Sequence, residues 1–314
     1  MSRVLVTGAA GFLGSHLCDA LLARGEEVIG VDNFSTGRPE NLAVARAHRA
    51  FVLLEQDVCN PLAVSGELDA VCHLASPASP ADYLRLPLET LRAGSRGTET
   101  AIALAAEHGA RFVLASTSEV YGNPLVHPQP ETYWGNVNPI GPRSVYDEAK
   151  RFAEALTAAY ARTGCLNAGI ARIFNTYGPR LRPGDGRVVS NFVAQALAGE
   201  PLTVYGEGTQ TRSFCYVEDL VDGLMRMIDA DVLGPVNLGN AVEVTVLELA
   251  QCVLELTGST SRIVHRPLPA DDPTRRRPDV ARASELLGWK ASVSLREGLA
   301  RTIQWWARAT ATAQ

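Results

Sequence analysis

Tyr146 and Lys150 stand four residues apart in a stretch with helical periodicity, so their side chains project from one face of the predicted helix. An ammonium beside a phenol, helped by a cationic ring such as an oxidised nicotinamide, draws the phenol below its usual pKa of ~10 and makes it a base near neutrality. A tyrosinate so placed accepts the proton of an alcohol while hydride leaves for a dinucleotide. Lysine occurs only at positions 150 and 290, against eight tyrosines, so the pairing is informative. In a chain without a dinucleotide loop, a Tyr/Lys pair on a helix surface would be the simpler account.

Such a loop is present. TGAAGFLG at positions 7 to 14 puts Gly8, Gly11 and Gly14 between a predicted strand and the helix that follows. Gly8 permits the tight turn, Gly11 lets backbone N–H groups reach a pyrophosphate at the positive helix end, and Gly14 lets the helix lie close on the sheet. Asp32 ends the second predicted strand, near the ~20-residue offset at which an acid accepts hydrogen bonds from the adenosine ribose. Its carboxylate repels a 2′-phosphate, which favours NAD over NADP, although Arg38 nearby offers a phosphate a partner and Asp32-Asn33 also suits a turn. Asp57-Val58, after the third strand, is a further candidate for contacts to adenine.

These residues need elements to hold them. Short apolar runs at 4 to 6, 28 to 31, 51 to 54, 70 to 74 and 112 to 115 alternate with longer helical patterns such as Ser15 to Arg24. A sixth strand, Ala168 to Phe174, follows the helical stretch Asp147 to Arg162. That alternation specifies an α/β fold, a doubly wound (Rossmann) parallel sheet with crossover helices, over residues 1 to 180. After Pro179, Pro183, Gly184, Gly186, Gly199 and Pro201 interrupt shorter elements, and Pro267, Pro269, Pro273 and Pro278 cluster further on. Residues 181 to 314 are therefore expected to form mainly a smaller C-terminal α/β substrate lobe, with some segments returning to the Rossmann sheet. The Ala/Thr tail near 308 to 313 is expected to be disordered.

The chain has 314 residues and a net charge of −5, from 29 Lys plus Arg against 34 Asp plus Glu. No generally basic surface is expected, and so no nucleic acid. Its apolar runs fall short of the ~18 residues a membrane span needs. Six cysteines and six histidines are scattered without C-x-x-C or H-x-x-x-H spacing, which predicts free thiols and no metal. A strand pattern, Val4 to Val6, begins almost at once, where an export signal would need a basic segment and an apolar core. A cytoplasmic location is the expectation.

HLASPASP (73 to 80), ASTSEVYG (115 to 122), YWGNVNPIGPRSVYDEAK (133 to 150), ARIFNTYGPR (171 to 180), DGRVVSNF (185 to 192) and YGEGTQTRSF (205 to 214) carry a closer likeness. Over about residues 3 to 300 the chain resembles the extended short-chain dehydrogenases/reductases that act on nucleotide sugars, and within them the UDP-glucuronate decarboxylases. The resemblance implies NAD contacts from Gly8, Gly11, Phe12, Leu13, Gly14, Asp32, Asn33, Thr36, Gly37, Asp57, Val58, Leu74, Ala75, Ser76, Tyr146 and Lys150. It implies catalysis by Thr117, Ser118, Glu119, Tyr146 and Lys150, with Thr117 bonding the sugar 4-hydroxyl beside the phenol. Related 4,6-dehydratases carry Asp-Glu where this chain has Ser118-Glu119, and Ser118 is no acid to protonate a departing 6-hydroxyl. The 4-epimerases usually lack Glu at the third position, so Thr-Ser-Glu points to decarboxylation.

The implied reaction oxidises C4 of UDP-glucuronate, loses CO2 from the resulting β-keto acid, protonates C5 and re-reduces C4 to give UDP-xylose. Glu119 is assigned to positioning and proton delivery near C5, with Ser118 as a polar neighbour. The substrate carries two phosphates and a carboxylate, so arginines should converge on it. The resemblance nominates Arg92, Arg187, Arg212 and Arg276, supported by Tyr160, Asn175, Ser190, Tyr205 and Gln210. Relatives usually have Asn-x-x-Gly-Thr where this chain reads Gly94-Ser95-Arg96-Gly97-Thr98, a change expected to alter substrate placement and release some UDP-4-keto-pentose. The alternatives are another NAD-dependent nucleotide-sugar 4-epimerase or 4,6-dehydratase, and a non-catalytic dinucleotide-sensing protein, for which Thr117, Tyr146 and Lys150 would be unnecessary. A homodimer packed through helices containing about 83 to 107 and 146 to 162 is also implied.

Overall fold

The computed structural model describes residues 2–268 and 275–312. Pro269 and Pro273 of the expected punctuation, and the end of the Ala/Thr tail, lie outside them. In chain order the strands are β1 (Arg3–Thr7), β2 (Glu27–Asp32), β3 (Phe51–Glu55), β4 (Ala70–His73), β5 (Arg111–Thr117), β6 (Ala168–Ile173), β7 (Thr176–Tyr177), β8 (Leu202–Tyr205), β9 (Thr211–Ser213), β10 (Cys215–Tyr216), β11 (Gly234–Leu238), β12 (Glu243–Thr245), β13 (Ile263–Arg266) and β14 (Arg275–Arg276). The helices are α1 (Phe12–Ala23), α2 (Ala43–Arg46), α3 (Pro80–Arg85), α4 (Pro87–Arg92), α5 (Thr98–His108), α6 (Ser144–Arg162), α7 (Val188–Ala198), α8 (Val217–Asp229), α9 (Val246–Thr257), α10 (Ala281–Leu287) and α11 (Leu295–Thr312).

Seven strands form one sheet in the order β11-β6-β5-β4-β1-β2-β3, all parallel. Both faces are covered, which is why its strands read as continuous apolar runs. Side chains alternate between faces along each strand. Val4, Val6 and Val28 enter one core with α1 and α8, while Leu5, Ile29 and Val31 enter the other with α5 and α6. This is the doubly wound α/β fold expected from the sequence. Strand order reverses between β1 and β4, and in such sheets the crevice beyond the carboxyl ends at the reversal is where ligands bind.

The second half interleaves with the first. β11 extends the main sheet beside β6, and α8 lies against α1. The remaining strands make small sheets, β12-β9-β14, β8-β13 and β7-β10, beside the crevice. Two local features differ from the sequence expectation. α6 starts at Ser144 instead of Asp147, because Arg143 already has helical backbone angles. Between α4 and α5 the helical path continues through a π-turn, Ala93–Gly97, whose wider hydrogen-bonded ring leaves no signature in apolar periodicity.

Candidate active site

At the carboxyl end of β1, Gly8 has φ +71° and passes so close to β4 that a Cβ there would lie 2.9 Å from the Leu74 and Ala75 backbone. Thr7 secures the same junction, its hydroxyl oxygen accepting the N–H groups of Leu74 (3.1 Å) and Ala75 (3.2 Å). Gly14 is pressed against the Gly8 carbonyl. No side chain caps α1, so its first-turn N–H groups, with those of Phe12 and Leu13 among them, compete with no internal anion. Asp32 is buried, and its oxygens accept the N–H groups of Ala10 (2.8 Å) and Phe34 (2.8 Å). Burial raises its pKa and those two bonds oppose the rise. A Cβ on Gly37 would meet the Asp32 carboxylate at 2.7 Å, so the Thr36-Gly37 loop closes over the acid.

Asn33 donates to Asp57 at 3.1 Å, joining the ends of β2 and β3, and Val58 is buried beneath this edge. Ser76 follows Ala75 at the mouth, and Arg38 lies outside, paired with Glu40 at 3.5 Å. An uncapped helix N-terminus, glycines where a Cβ would collide, and a carboxylate at the second strand's end together fit a pyrophosphate and a ribose diol.

The reacting residues sit beyond β5. Buried positions on α6 run Tyr146, Asp147, Ala149, Lys150, Ala153 and Thr157, so a phenol, a carboxyl and an ammonium occupy what would otherwise be a plain apolar stripe. Thr117, ending β5, hydrogen-bonds the Tyr146 phenol and accepts the Glu119 N–H at 3.2 Å. Lys150 donates to the Ala115 carbonyl at 2.8 Å, with its nitrogen 5.9 Å from the Tyr146 ring centroid. Tyr83, from α3, stacks on Tyr146 with centroids 5.3 Å apart and planes 7° from parallel.

The sequence expectation of a lowered phenol pKa is not met by the protein groups on their own. Burial pushes Tyr146 up to about 12, against smaller opposing effects of Thr117 and Arg187. The ammonium is directed to a backbone carbonyl rather than to the phenol oxygen, and burial brings Lys150 down to about 8. Both groups are thus desolvated beside the place where a cationic ring would dock.

Ser118 and Glu119 open a 3-10 turn, Ser118–Tyr121. Glu119 accepts from Arg143 at 2.7 Å and from Arg276, whose other terminal nitrogen donates to Gly122 O at 2.8 Å. Burial would raise the Glu119 carboxyl, but Arg276 and Arg143 outweigh it and hold it well below the usual carboxylate range. The expected proton delivery by Glu119 therefore conflicts with its surroundings, which keep it ionised. Arg276 is buried, and its Nε has no hydrogen-bond partner among the described residues. Beside Tyr146, Asp147 is also buried, with an unpartnered Oδ1. Burial first, then the negative charge of Glu119, raise its pKa towards neutrality.

Arg187 donates to Asp185 (3.1 Å) and to the Ala78 carbonyl (3.2 Å), and Ser190 holds Asp185 from the other side at 2.5 Å. Asn175 sits between β6 and β7, its carbonyl accepting the Cys215 N–H at 2.9 Å. Tyr205 ends β8, Gln210 donates to its carbonyl at 2.8 Å, and Arg212 lies in register with Arg276 across β9 and β14. Two nominated residues are not brought to this group. Arg92 is exposed on α4 on the side of Cys59. Tyr160 is fourteen residues beyond Tyr146 on α6, about 21 Å along the helix, and packs in the core under the opposite end.

Sequence reasoning missed Tyr83, Arg143 and Asp147. Arg143 and Asp147 lay inside a recognised stretch, one turn before the phenol and next to it. Tyr83 reaches the site only through tertiary packing. Among the described residues no group of three or more His, Cys, Asp or Glu could hold a metal, and no helix is long and apolar enough to cross a membrane.

The pattern of the NAD dependent epimerase/dehydratase family matches residues 4–239. UDP-glucuronic acid decarboxylase 2 of Arabidopsis thaliana is 57% identical over 297 residues, covering 95% of this chain and 66% of the plant protein, so the chain spans just under two thirds of that relative's length. UDP-glucuronic acid decarboxylase 1 of Danio rerio is 53% identical over 306 residues, covering 98% of this chain and 73% of the fish protein. Among solved structures, UDP-glucose 4-epimerase of Thermotoga maritima with UDP-glucose superposes with a TM-score of 0.89 at 31% identity, covering 98% and 99% of the two chains. UDP-glucuronic acid 4-epimerase of Bacillus cereus in complex with UDP-glucuronic acid and NAD gives 0.87 at 26% identity, with the same coverage.

Proposed function

The chain belongs to the NAD dependent epimerase/dehydratase family, and from that premise we propose that it decarboxylates UDP-glucuronic acid to UDP-xylose. The observation that carries this choice within the family is the pair Ser118-Glu119. Position 118 holds a hydroxyl, and Glu119 is kept ionised between Arg143 and Arg276, so neither group is the acid that expelling a sugar hydroxyl requires. Two guanidiniums around one carboxylate leave a positive charge over. Together with the orphaned Nε of Arg276, that charge suits the carboxylate of a glucuronate.

NAD is the cofactor; Gly8, Gly11 and Gly14 with Asp32 would hold it, and there it would supply a reversible hydride acceptor for C4 and a positive charge to favour tyrosinate. Tyr146 takes the C4 hydroxyl proton, Thr117 fixes that hydroxyl, and Lys150 raises the local positive potential. The C4 ketone lies β to the carboxylate, so the C5–C6 bond breaks with its electron pair entering an enolate as CO2 departs. C5 then takes a proton, and Tyr146 returns its own to the C4 oxygen. Arg187, oriented by Asp185 and Ser190, together with Arg212, serves the diphosphate.

Leu84, Leu88, Leu91 and Phe152 expose 55%, 58%, 38% and 50% of their surface on α3, α4 and α6, an apolar face suited to a second copy of the chain. Six free thiols suit the cytoplasm.

The test is anaerobic incubation with UDP-glucuronic acid and NAD, following nucleotide sugars by mass spectrometry and NADH by absorbance. UDP-pentose with little NADH is expected. Keto-pentose with accumulating NADH would mark an uncoupled final reduction and direct attention to Gly94, while unchanged substrate would overturn the reading.

A further inference from the structure

Asp147 is a buried carboxyl that takes no part in oxidising or re-reducing C4. It lies next to Tyr146 and four residues after Arg143 on α6, a spacing that brings two side chains within reach of each other. Its Oδ1 has no hydrogen-bond partner among the described residues. The groups that face it are Glu119 from the 3-10 turn, Arg276 from β14, Arg143 and Glu148 from its own helix region, and Tyr83 from α3.

The charges in this cluster can be matched to the reaction. Arg143 and Arg276 contribute two positive charges and Glu119 removes one. With Asp147 neutral, one positive charge remains for the substrate carboxylate. With Asp147 ionised, the pocket is already neutral and no net positive charge is left to hold a further carboxylate. Loss of CO2 then moves the substrate's negative charge away from the arginine pair and onto the enolate, which leaves that pair free to favour ionisation of Asp147 at the stage when C5 needs one proton.

We propose that Asp147 is a positioning and specificity-determining residue that carries a proton while the substrate's carboxylate occupies the arginine pair and gives it up when CO2 has left. The inference rests on the assignment of UDP-glucuronate as substrate. The proton balance closes: the proton that Asp147 gives up to the pocket makes good the one the enolate takes at C5, and Asp147 regains one from solvent before the next substrate binds, so each turnover consumes one proton. Its buried setting agrees with this cycle, since desolvation and Glu119 both favour the neutral carboxyl.

The test uses binding, so it does not depend on turnover. Calorimetric titration of the NADH-loaded protein, which cannot oxidise C4, with UDP-glucuronate and with UDP-xylose, between about pH 6 and about pH 9, reads the protons taken up in each case. UDP-glucuronate should weaken by about tenfold per pH unit once Asp147 ionises, while UDP-xylose, which lacks the carboxylate, should not. Asp147→Asn should flatten the UDP-glucuronate slope, and Asp147→Ser serves if the amide impairs folding. Equal slopes for the two ligands in the wild type, or an unchanged slope in both variants, would overturn the proposal. Failure of UDP-glucuronate to bind at any pH would overturn the substrate assignment and this inference together, whereas tight binding with a flat slope would sink only the role of Asp147.

Discussion

The phenol of Tyr146 is at once the most readable residue of this chain and the one whose chemistry its neighbours alter most. Spacing placed it beside Lys150, yet burial outweighs every protein group that would favour tyrosinate. Tyr146→Phe should therefore lower kcat by about 10²–10⁴ while changing NAD binding, read by quenching of tryptophan fluorescence, far less, since the other NAD contacts remain. Tyr83 packs the opposite face of that ring. Tyr83→Ala should cost about 3–5 kcal/mol in denaturant unfolding and lower kcat more than it raises KM, whereas Tyr83→Phe keeps the stack and should approach wild type in both. His73 supplies a pH dependence. Its Nδ1 accepts from Thr7 at 2.9 Å and its Nε2 faces Thr98 at 3.2 Å, and burial brings its pKa down from 6.5 to about 3. The unfolded chain gains that proton below the ordinary histidine pKa while the native ring does not. Stability should thus be intact above about pH 6.5 and fall by about 1.4 kcal/mol per pH unit below it for this group. His73→Asn should flatten that part of a stability–pH curve.

At the scale of elements, the contact of the π-turn with α6 shows what a sequence pattern leaves open. Read locally, Gly94 is a helix-weakening substitution. In the fold a Cβ there would lie 2.6 Å from the Ala149 Cβ and 2.9 Å from its carbonyl oxygen, so the missing side chain is what lets the two backbones meet one residue before Lys150. The turn is tied onward by Thr98, which donates to the Gly94 carbonyl at 2.9 Å and bonds His73, linking it to β4. Gly94→Ala should destabilise the protein by about 1–3 kcal/mol through overpacking. Adding Ala149→Gly should recover only part of that loss, because it removes the clash between the two methyl groups but leaves the Ala149 carbonyl 2.9 Å from the new Cβ and puts a glycine inside α6. Thermal or denaturant unfolding of the two single variants and the double variant gives the coupling directly.

At the scale of the whole molecule, the exposed face of α3, α4 and α6 adjoins the elements that bear Tyr83, Tyr146 and Asp147, so a partner there would brace the reaction site from behind. Replacing Leu88 and Phe152 together by Glu should convert a dimer to a monomer in light scattering coupled to gel filtration, with kcat falling more than the affinity for NAD. Wild-type protein that elutes as a monomer would remove this expectation. The sequence by itself determined the doubly wound sheet, the glycine crevice and the Tyr146–Lys150 pair, because each is written in short-range spacing: alternating apolar strands, glycines at fixed offsets, two residues one helical turn apart. It also brought Thr117 and Glu119 into view through a local triplet. Only the tertiary structure decided that Glu119 is clamped by Arg143 and by Arg276 from 157 residues away, that Tyr83 lies on the phenol, that Asp147 is buried with its Oδ1 unpartnered among the described residues, and that Arg92 and Tyr160 stand apart from the site. Those outcomes depend on desolvation and on charges brought together across the chain, quantities that no local spacing encodes.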